Sequence, residues 1–83
     1  MNPQGGTAVE FTDIVAGVLD VGPAEIVDTA GPATLLTWTS LRHLELVVNL
    51  EQAYGVSFTY QDIRNLRSIG QVRDVLRAKG VPV

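Results

Sequence analysis

The sequence predicts an all-α protein, a four-helix bundle with a long first loop and a short third helix. Apolar residues recur at helical spacing in separate segments, and glycine and proline residues interrupt the pattern between them. The only strand-like run, Val56-Ser57-Phe58-Thr59, is too short to found a sheet. The chain has 83 residues, of which 46% are hydrophobic, and this favours one small domain with a simple core. We expect a disordered tail at residues 1–6 and a single domain at residues 7–83.

The first helix is predicted to begin at Thr7. Thr7-Ala8-Val9-Glu10 has the spacing of a capping box, in which the threonine and the glutamate each bond a backbone amide of the other. We expect Gly22-Pro23 to end the helix, because glycine frees the backbone and proline cannot continue the hydrogen-bond ladder. The residues of its predicted apolar stripe are Phe11, Ile14, Val15, Val18 and Leu19.

A connection of 18 residues, from Gly22 to Thr39, separates the first two helices. Connections between helices usually have roughly 2–8 residues, so this one is unusually long. A single helical turn is predicted at Pro23-Ala24-Glu25-Ile26. Three apolar side chains are expected to attach the loop to the core: Ile26, Leu35 and Leu36.

The second helix is predicted from Ser40 to Tyr54, with Gly55 after its end. Its apolar residues occupy too wide an arc for one buried stripe. The predicted core side consists of Leu46, Val47, Leu50 and Tyr54. The predicted solvent side consists of Arg42, Glu45, Asn49 and Gln52. A second apolar arc, which we interpret as a candidate docking face, consists of Leu41, Leu44 and Val48, flanked by Glu45 and Glu51.

Two further helices complete the predicted bundle. Thr59 can cap a short helix from Tyr60 to about Leu66, with Ile63 and Leu66 facing inward. Ser68-Ile69-Gly70-Gln71 is a second capping-box pattern, and Gly80 is expected to end the helix that it starts. The apolar side of this last helix is predicted to be Ile69, Val72, Val75 and Leu76.

Composition excludes several classes of function. The chain has no cysteine, which removes disulfides, thiolate zinc sites and cysteine nucleophiles, and a lone histidine cannot form a metal site. The apolar runs are far shorter than the ~20 residues that span a bilayer, and the first six residues lack the features of a signal peptide. We therefore expect a cytoplasmic protein with no membrane association.

Charge is distributed unevenly along the chain, whose net charge is −3. Five acidic residues and no basic residue precede Leu41, whereas six basic and four acidic residues follow from there. The basic half is too dilute to indicate a nucleic-acid interface, so we expect no nucleic-acid partner.

Ser40 admits more than one interpretation from its position. A serine at a helix start is usually an N-cap, but Thr39 can fill that role equally well. Ser40 and His43 have the spacing of a nucleophile and its base on one helix, but no third group is within sequence reach to orient the histidine. We expect His43 instead to pack against the loop or to line the region near Ser40. Exposed amides and the dipole at a helix start also favour a phosphate group. We expect no catalytic residue here.

The segment from Ser40 to Val56 resembles the modification-site helix of acyl carrier proteins. The similarity lies in Ser40-Leu41, Glu45-Leu46-Val47, Leu50-Glu51 and Tyr54-Gly55-Val56, and it extends from the Phe11 stripe to the Ile69 helix. It implies a non-enzymatic carrier that holds an acyl group as a thioester on a 4′-phosphopantetheine arm attached to Ser40. Trp38, just upstream, resembles some free-standing carriers of secondary metabolism.

The resemblance also implies partners. A phosphopantetheinyl transferase would attach the arm, and acyl-loading, condensing or acyl-transferring enzymes of polyketide or fatty-acid type would read the docking face. We expect the carrier to be a monomer. The family usually has an aspartate before the serine, where this chain has Thr39, so the choice of transferase is left open.

Two alternatives also stay open. One is a peptidyl or aminoacyl carrier, although such carriers usually show Gly-Gly-x-Ser where this chain has Thr37-Trp38-Thr39 before Ser40. The other is a small helical interaction domain in which Ser40 is only a helix cap.

Overall fold

The computed structural model describes the backbone of residues 7–83 and the side chains from Phe11 onward. The predicted tail at residues 1–6 and the side-chain contacts of the first capping box lie outside this range. Four α-helices and no strand occur in residues 7–83, which confirms the predicted all-α fold. The helices are α1 (Thr7–Leu19), α2 (Ser40–Tyr54), α3 (Tyr60–Arg64) and α4 (Ile69–Ala78), with a 3₁₀ turn at Pro23–Glu25.

An aliphatic core lies between α1, α2 and α4. The predicted stripes supply it: Phe11, Val15 and Leu19 are fully buried, and Ile14 and Val18 pack against them. The buried residues of α2 and α4 are Leu46, Val47, Leu50, Ile69, Val72 and Leu76. At roughly 1.5–3 kcal/mol for each fully buried aliphatic side chain, this burial is the main force that holds the short helices together.

Helix α1 ends earlier than the sequence prediction. Asp20 adopts the left-handed conformation at φ 56°, and the backbone N–H of Val21 donates to the carbonyl of Ala16 at 3.1 Å. This pattern satisfies a carbonyl of the last turn. The prediction that Gly22-Pro23 ends the helix was therefore wrong by two residues. Pro23 instead begins the predicted single turn, because the fixed φ of proline suits a first helical position.

The long first loop is fastened to the start of α4. Backbone amides of Ile69 and Gly70 donate to the carbonyls of Ala30 and Asp28 at 2.8 and 3.0 Å. The Asp28 carboxylate also accepts a hydrogen bond from Nε of Arg73 at 2.9 Å. These contacts give an irregular segment defined partners, so that the residues before Ser40 start from a fixed position.

Two of the three apolar anchors predicted in this loop are confirmed. Ile26 and Leu35 are buried, whereas Leu36 is 85% exposed, so the prediction for Leu36 was wrong. Its neighbour Leu35 and then Trp38 take the inward positions. An irregular loop has no constant spacing between its inward-facing side chains, so adjacent residues such as these can differ fully in burial.

Helix α2 has the predicted bounds. Thr39 is its N-cap, and Gly55 ends it in the left-handed conformation at φ 65°. Tyr54 on its core side is partly buried and packs against the core. The bounds matter because they fix Ser40 as the first helical residue.

Helices α3 and α4 follow their predicted caps. Thr59 and Asp62 form a capping box at α3, which ends at Arg64 rather than at about Leu66, although Leu66 is buried as predicted. At α4, Ser68 caps the amide of Gln71, while Gln71 Oε1 accepts from the amide of Arg67, one residue before the expected partner. In residues 7–83, no helix combines the length and apolar character that crossing a bilayer requires.

Candidate functional site at the start of helix α2

Ser40 is an exposed residue whose hydroxyl has no structural task. The cap belongs to Thr39, whose Oγ1 accepts from the amide of Arg42 at 3.3 Å and whose carbonyl accepts from the amide of His43 at 2.9 Å. Among the described backbone and the side chains from Phe11 onward, Ser40 Oγ has no hydrogen-bond partner. The interpretation of Ser40 as a helix cap is therefore wrong, and its Oγ is available for chemistry.

A cleft of about 460 Å³ adjoins Ser40. It lies between the end of the first loop, the first turn of α2 and the segment around α3. Its walls mix apolar and polar groups, among them Trp38, His43, Leu44, Ile63 and Arg64. A substituent on Ser40 would leave the protein over this cleft.

His43 joins the three walls of the cleft. Trp38 Nε1 donates to Nδ1 of His43 at 3.0 Å, and Nε2 of His43 lies 2.9 Å from the carbonyl oxygen of Ile63. Because a carbonyl can only accept, Nε2 carries the proton and Nδ1 is the acceptor, which defines a neutral ring in one tautomer. Both ring nitrogens are thus engaged away from Ser40, and the geometry gives His43 the role of a structural link rather than a base.

The expected position of His43, against the loop and near Ser40, is confirmed, but its two partners were not predicted. Trp38 and His43 are five residues apart, and Ile63 is a further 20 residues along the chain. Neither spacing belongs to a helical or strand period, so no pattern in the sequence indicates the contact. The only signal was that Trp38 and His43 are each the single residue of their type.

The candidate docking face on α2 is exposed at each of its apolar positions. Leu41, Leu44 and Val48 are 68%, 56% and 48% exposed. Glu45 beside them is also exposed, and its carboxylate makes no ion pair within residues 7–83. Such a cluster of large apolar side chains on one helix is a feature of interaction surfaces.

Glu51 has a different environment from Glu45. Its carboxylate Oε2 accepts a hydrogen bond from the backbone amide of Phe58 at 2.8 Å, and the residue is half-buried. The side chain therefore fixes the connection between α2 and α3. The structure gives Glu51 a structural task beside the one predicted for it.

Metal binding has no support in the residues that the structure describes, because no three His, Cys, Asp or Glu side chains come together there.

Arg42 has a structural contact, since its guanidinium donates to the carbonyl of Val18 at 3.0 Å near the C-terminal end of α1. A cation there also interacts favourably with the helix dipole.

Comparisons with known proteins identify relatives that match most of the chain. No family model matches the sequence. Polyketide-8 synthase acyl carrier protein 2 of Streptomyces avermitilis is 33% identical over 70 residues, which cover 84% of this chain and 80% of that protein. The acyl carrier protein of Thermosynechococcus vestitus is 33% identical over 66 residues, covering 80% of this chain and 82% of that protein.

Both relatives match most of the chain, and the four-helix architecture agrees with the bundle of that family. Proteins of this kind generally carry phosphopantetheine and have no catalytic activity of their own. By fold and by sequence, the chain belongs to the acyl carrier protein family.

Proposed function

We propose that this protein carries an acyl intermediate as a thioester on a 4′-phosphopantetheine arm attached to Ser40, and presents it to biosynthetic enzymes of polyketide or fatty-acid type. The observation that carries the proposal is that Ser40 is exposed and does not cap the helix. Ser40 is exposed at the first position of α2, and its hydroxyl is free of the capping role that Thr39 performs. Membership of the acyl carrier protein family supports it.

The residues around Ser40 fit the attached group. A phosphodiester on Oγ would stand at the start of a 15-residue helix, where free backbone amides and the helix dipole favour negative charge. The apolar walls that Trp38, Leu44 and Ile63 give the cleft suit the uncharged part of the arm. When bound, the arm supplies a thiol that holds the acyl group in a transferable form.

Attachment is a group transfer that a phosphopantetheinyl transferase would catalyse. Ser40 Oγ attacks the phosphorus of coenzyme A that bears the pantetheine, so that an O–P bond forms. The bond from that phosphorus to the second phosphate breaks, and adenosine 3′,5′-bisphosphate leaves. The hydroxyl proton passes to a base of the transferase, because His43 has both ring nitrogens engaged.

The name of the Streptomyces avermitilis relative favours polyketide synthesis among the pathways proposed here. That relative is a polyketide synthase acyl carrier protein by its name, and it matches 84% of this chain. We therefore propose condensing and acyl-transferring enzymes of polyketide type as the first partners to test.

We further propose that Leu41, Leu44 and Val48, with Glu45 at their edge, form the face that these enzymes contact. The three apolar side chains are exposed on the helix that begins with Ser40. A small interface of this kind supports a transient complex, which a carrier that visits several enzymes requires. Glu51 was also predicted as part of the face. Because its carboxylate accepts a hydrogen bond from the amide of Phe58, we expect it to contribute less to docking than Glu45.

The test of attachment is the intact mass after incubation with coenzyme A and a transferase of broad specificity. The unchanged chain should gain one phosphopantetheinyl group, and Ser40→Ala should gain none while its helical circular dichroism stays the same. Ser57→Ala is the matched control, since Ser57 is an exposed serine outside the helices, and it should be modified normally. Modification of Ser40→Ala, or failure of the unchanged chain with several transferases, would contradict the proposal.

A further inference from the structure

Four of the six basic side chains form an ion pair or donate a hydrogen bond to a backbone carbonyl within the fold. Arg42 donates to the carbonyl of Val18, and Arg73 pairs with Asp28. Arg77 pairs with Asp74 and donates to the carbonyl of Val83, and Lys79 pairs with Asp62 at 2.8 Å. The chain has six Lys and Arg residues, so two arginines remain.

The remaining two, Arg64 and Arg67, both line the cleft beside Ser40. Both are exposed, and neither guanidinium forms an ion pair with the side chains that the structure describes, those of residues 11–83. Among the side chains that the structure describes, no aspartate or glutamate lines this cleft. The cleft therefore carries a local positive charge, although the net charge of the protein is −3.

The backbone and one ring contact hold the two arginines in position. The Arg64 guanidinium lies 5.8 Å from the centre of the Tyr60 ring, a cation–π distance. The backbone amide of Arg67 donates to Gln71 Oε1, and its carbonyl lies against Gly31, where a Cβ would stand only 2.4 Å from the oxygen. The Arg64 guanidinium and the backbone of Arg67 are thus held at the edge of the cleft that Ser40 also lines.

We propose that Arg64 and Arg67 form a cationic docking edge that receives a transferase carrying coenzyme A, with the anionic diphosphate of the donor approaching Ser40 along this edge. This inference rests on the proposed attachment at Ser40. Charge complementarity supports it, because any enzyme that loads Ser40 in this way must bring a diphosphate to Oγ. Among the described residues, these are the two basic side chains without an ion pair or a backbone acceptor.

We expect Arg64 and Arg67 to raise the rate at which the transferase and the carrier associate. Exposed charges steer association over about a Debye length, which is ~10 Å at 0.1 M salt, and salt screens the effect. A steering role therefore changes kcat/KM of modification at low salt and leaves the fold and the identity of the modified residue unchanged.

The experiment measures kcat/KM of phosphopantetheinylation with two unrelated transferases, at low and at high salt. Arg64→Gln combined with Arg67→Gln should lower kcat/KM roughly tenfold at low salt, with the difference shrinking at high salt. The control combines Ala24→Glu with Ala53→Glu, two exposed positions that do not line the cleft and give the same change in net charge. It should change kcat/KM by less than about twofold.

Two outcomes would overturn the inference. The first is an Arg64/Arg67 variant that behaves like the control with both enzymes. The second is a loss with only one of the two enzymes, which would assign the contact to that enzyme's own surface rather than to the shared donor. Failure of the unchanged chain to be modified would instead refute attachment at Ser40, and thermal melts of each variant separate either result from unfolding.

Discussion

Gly31 and Gly17 are two glycines with opposite surroundings. A Cβ on Gly31 would lie 2.4 Å from the carbonyl oxygen of Arg67, where the first loop crosses in front of α4. A Cβ on Gly17, in the interior of α1, would meet nothing within 4 Å. Gly31 is thus required by close approach of two backbone segments, whereas Gly17 only loses conformational entropy on folding.

We predict that Gly31→Ala lowers the free energy of unfolding by about 1–3 kcal/mol, because the added methyl group forces two backbone segments apart. Gly17→Ala should raise it by about 0.5–1 kcal/mol, since alanine favours the helix and has room. Urea unfolding followed by circular dichroism measures both. A stable Gly31→Ala variant would show that the loop can move off α4 without cost.

Single residues also mark where sequence reasoning stopped. The exposure of Leu36 was not foreseen, because an irregular loop has no period that assigns its side chains to a face. The contacts of Trp38 with His43 and of His43 with Ile63 join positions that no regular spacing relates. The capping role near Ser40 was left open by the sequence, since Thr39 was identified as an equally good cap, and the structure assigns the cap to Thr39.

Helices α3 and α4 are joined by the pair Asp62–Lys79, whose oxygen and nitrogen are 2.8 Å apart. The Lys79 ammonium and the backbone amide of Thr59 hold the pKa of Asp62 below its ordinary value of 3.8. A lowered folded-state pKa means that the ionised carboxylate stabilises the fold above the unfolded-state pKa. This stability is lost as the pH falls from about 3.8 through the lower folded-state value.

We predict that Asp62→Asn reduces the melting temperature at neutral pH and makes it fall less steeply below about pH 4, because the amide cannot lose a stabilising charge. Asp13→Asn is the control, since Asp13 is exposed and makes no ion pair within residues 7–83. Melting temperatures of the three proteins across the acid range test this. Parallel curves for the Asp62 variant and the unchanged chain would refute it.

Helix boundaries were predictable where a cap and a stop both have local chemistry. The bounds of α2 were predicted correctly because Thr39 and Gly55 are residues that favour those two positions. The end of α1 was missed because Asp20, one of the few non-glycine residue types that adopt positive φ, does so here before Gly22 is reached. The first loop is attached to α4 through the backbone carbonyls of Ala30 and Asp28. Every residue type has such a carbonyl, so the sequence does not indicate this attachment.

The whole molecule separates an internal core from an exposed apolar face on the same helix. Leu46, Val47 and Leu50 of α2 are buried, while Val48 is nearly half exposed beside Glu45. A substitution on the exposed face should therefore change partner binding without creating a cavity or a buried charge.

We predict that Val48→Asp weakens binding of the transferase, whereas unfolding free energy changes by less than about 1 kcal/mol. Glu45→Lys should mainly slow association in a salt-dependent way. Val27→Asp is the matched control, because Val27 is exposed to a similar degree, 51% against 48%, and lies in the first loop. Association kinetics and thermal melts on the same samples test this, and unfolding by Val48→Asp would place Val48 in the core.

The indole of Trp38 has a consequence for observing the protein. It is the only tryptophan of the chain, it is 4% exposed, and its N–H donates to His43 in the wall of the cleft beside Ser40. All tryptophan fluorescence of the molecule therefore arises from one position with one hydrogen-bond partner. Loading of the serine, docking of an enzyme, or separation of the loop from α3 can each be followed by the emission of the native protein, without a dye or a label.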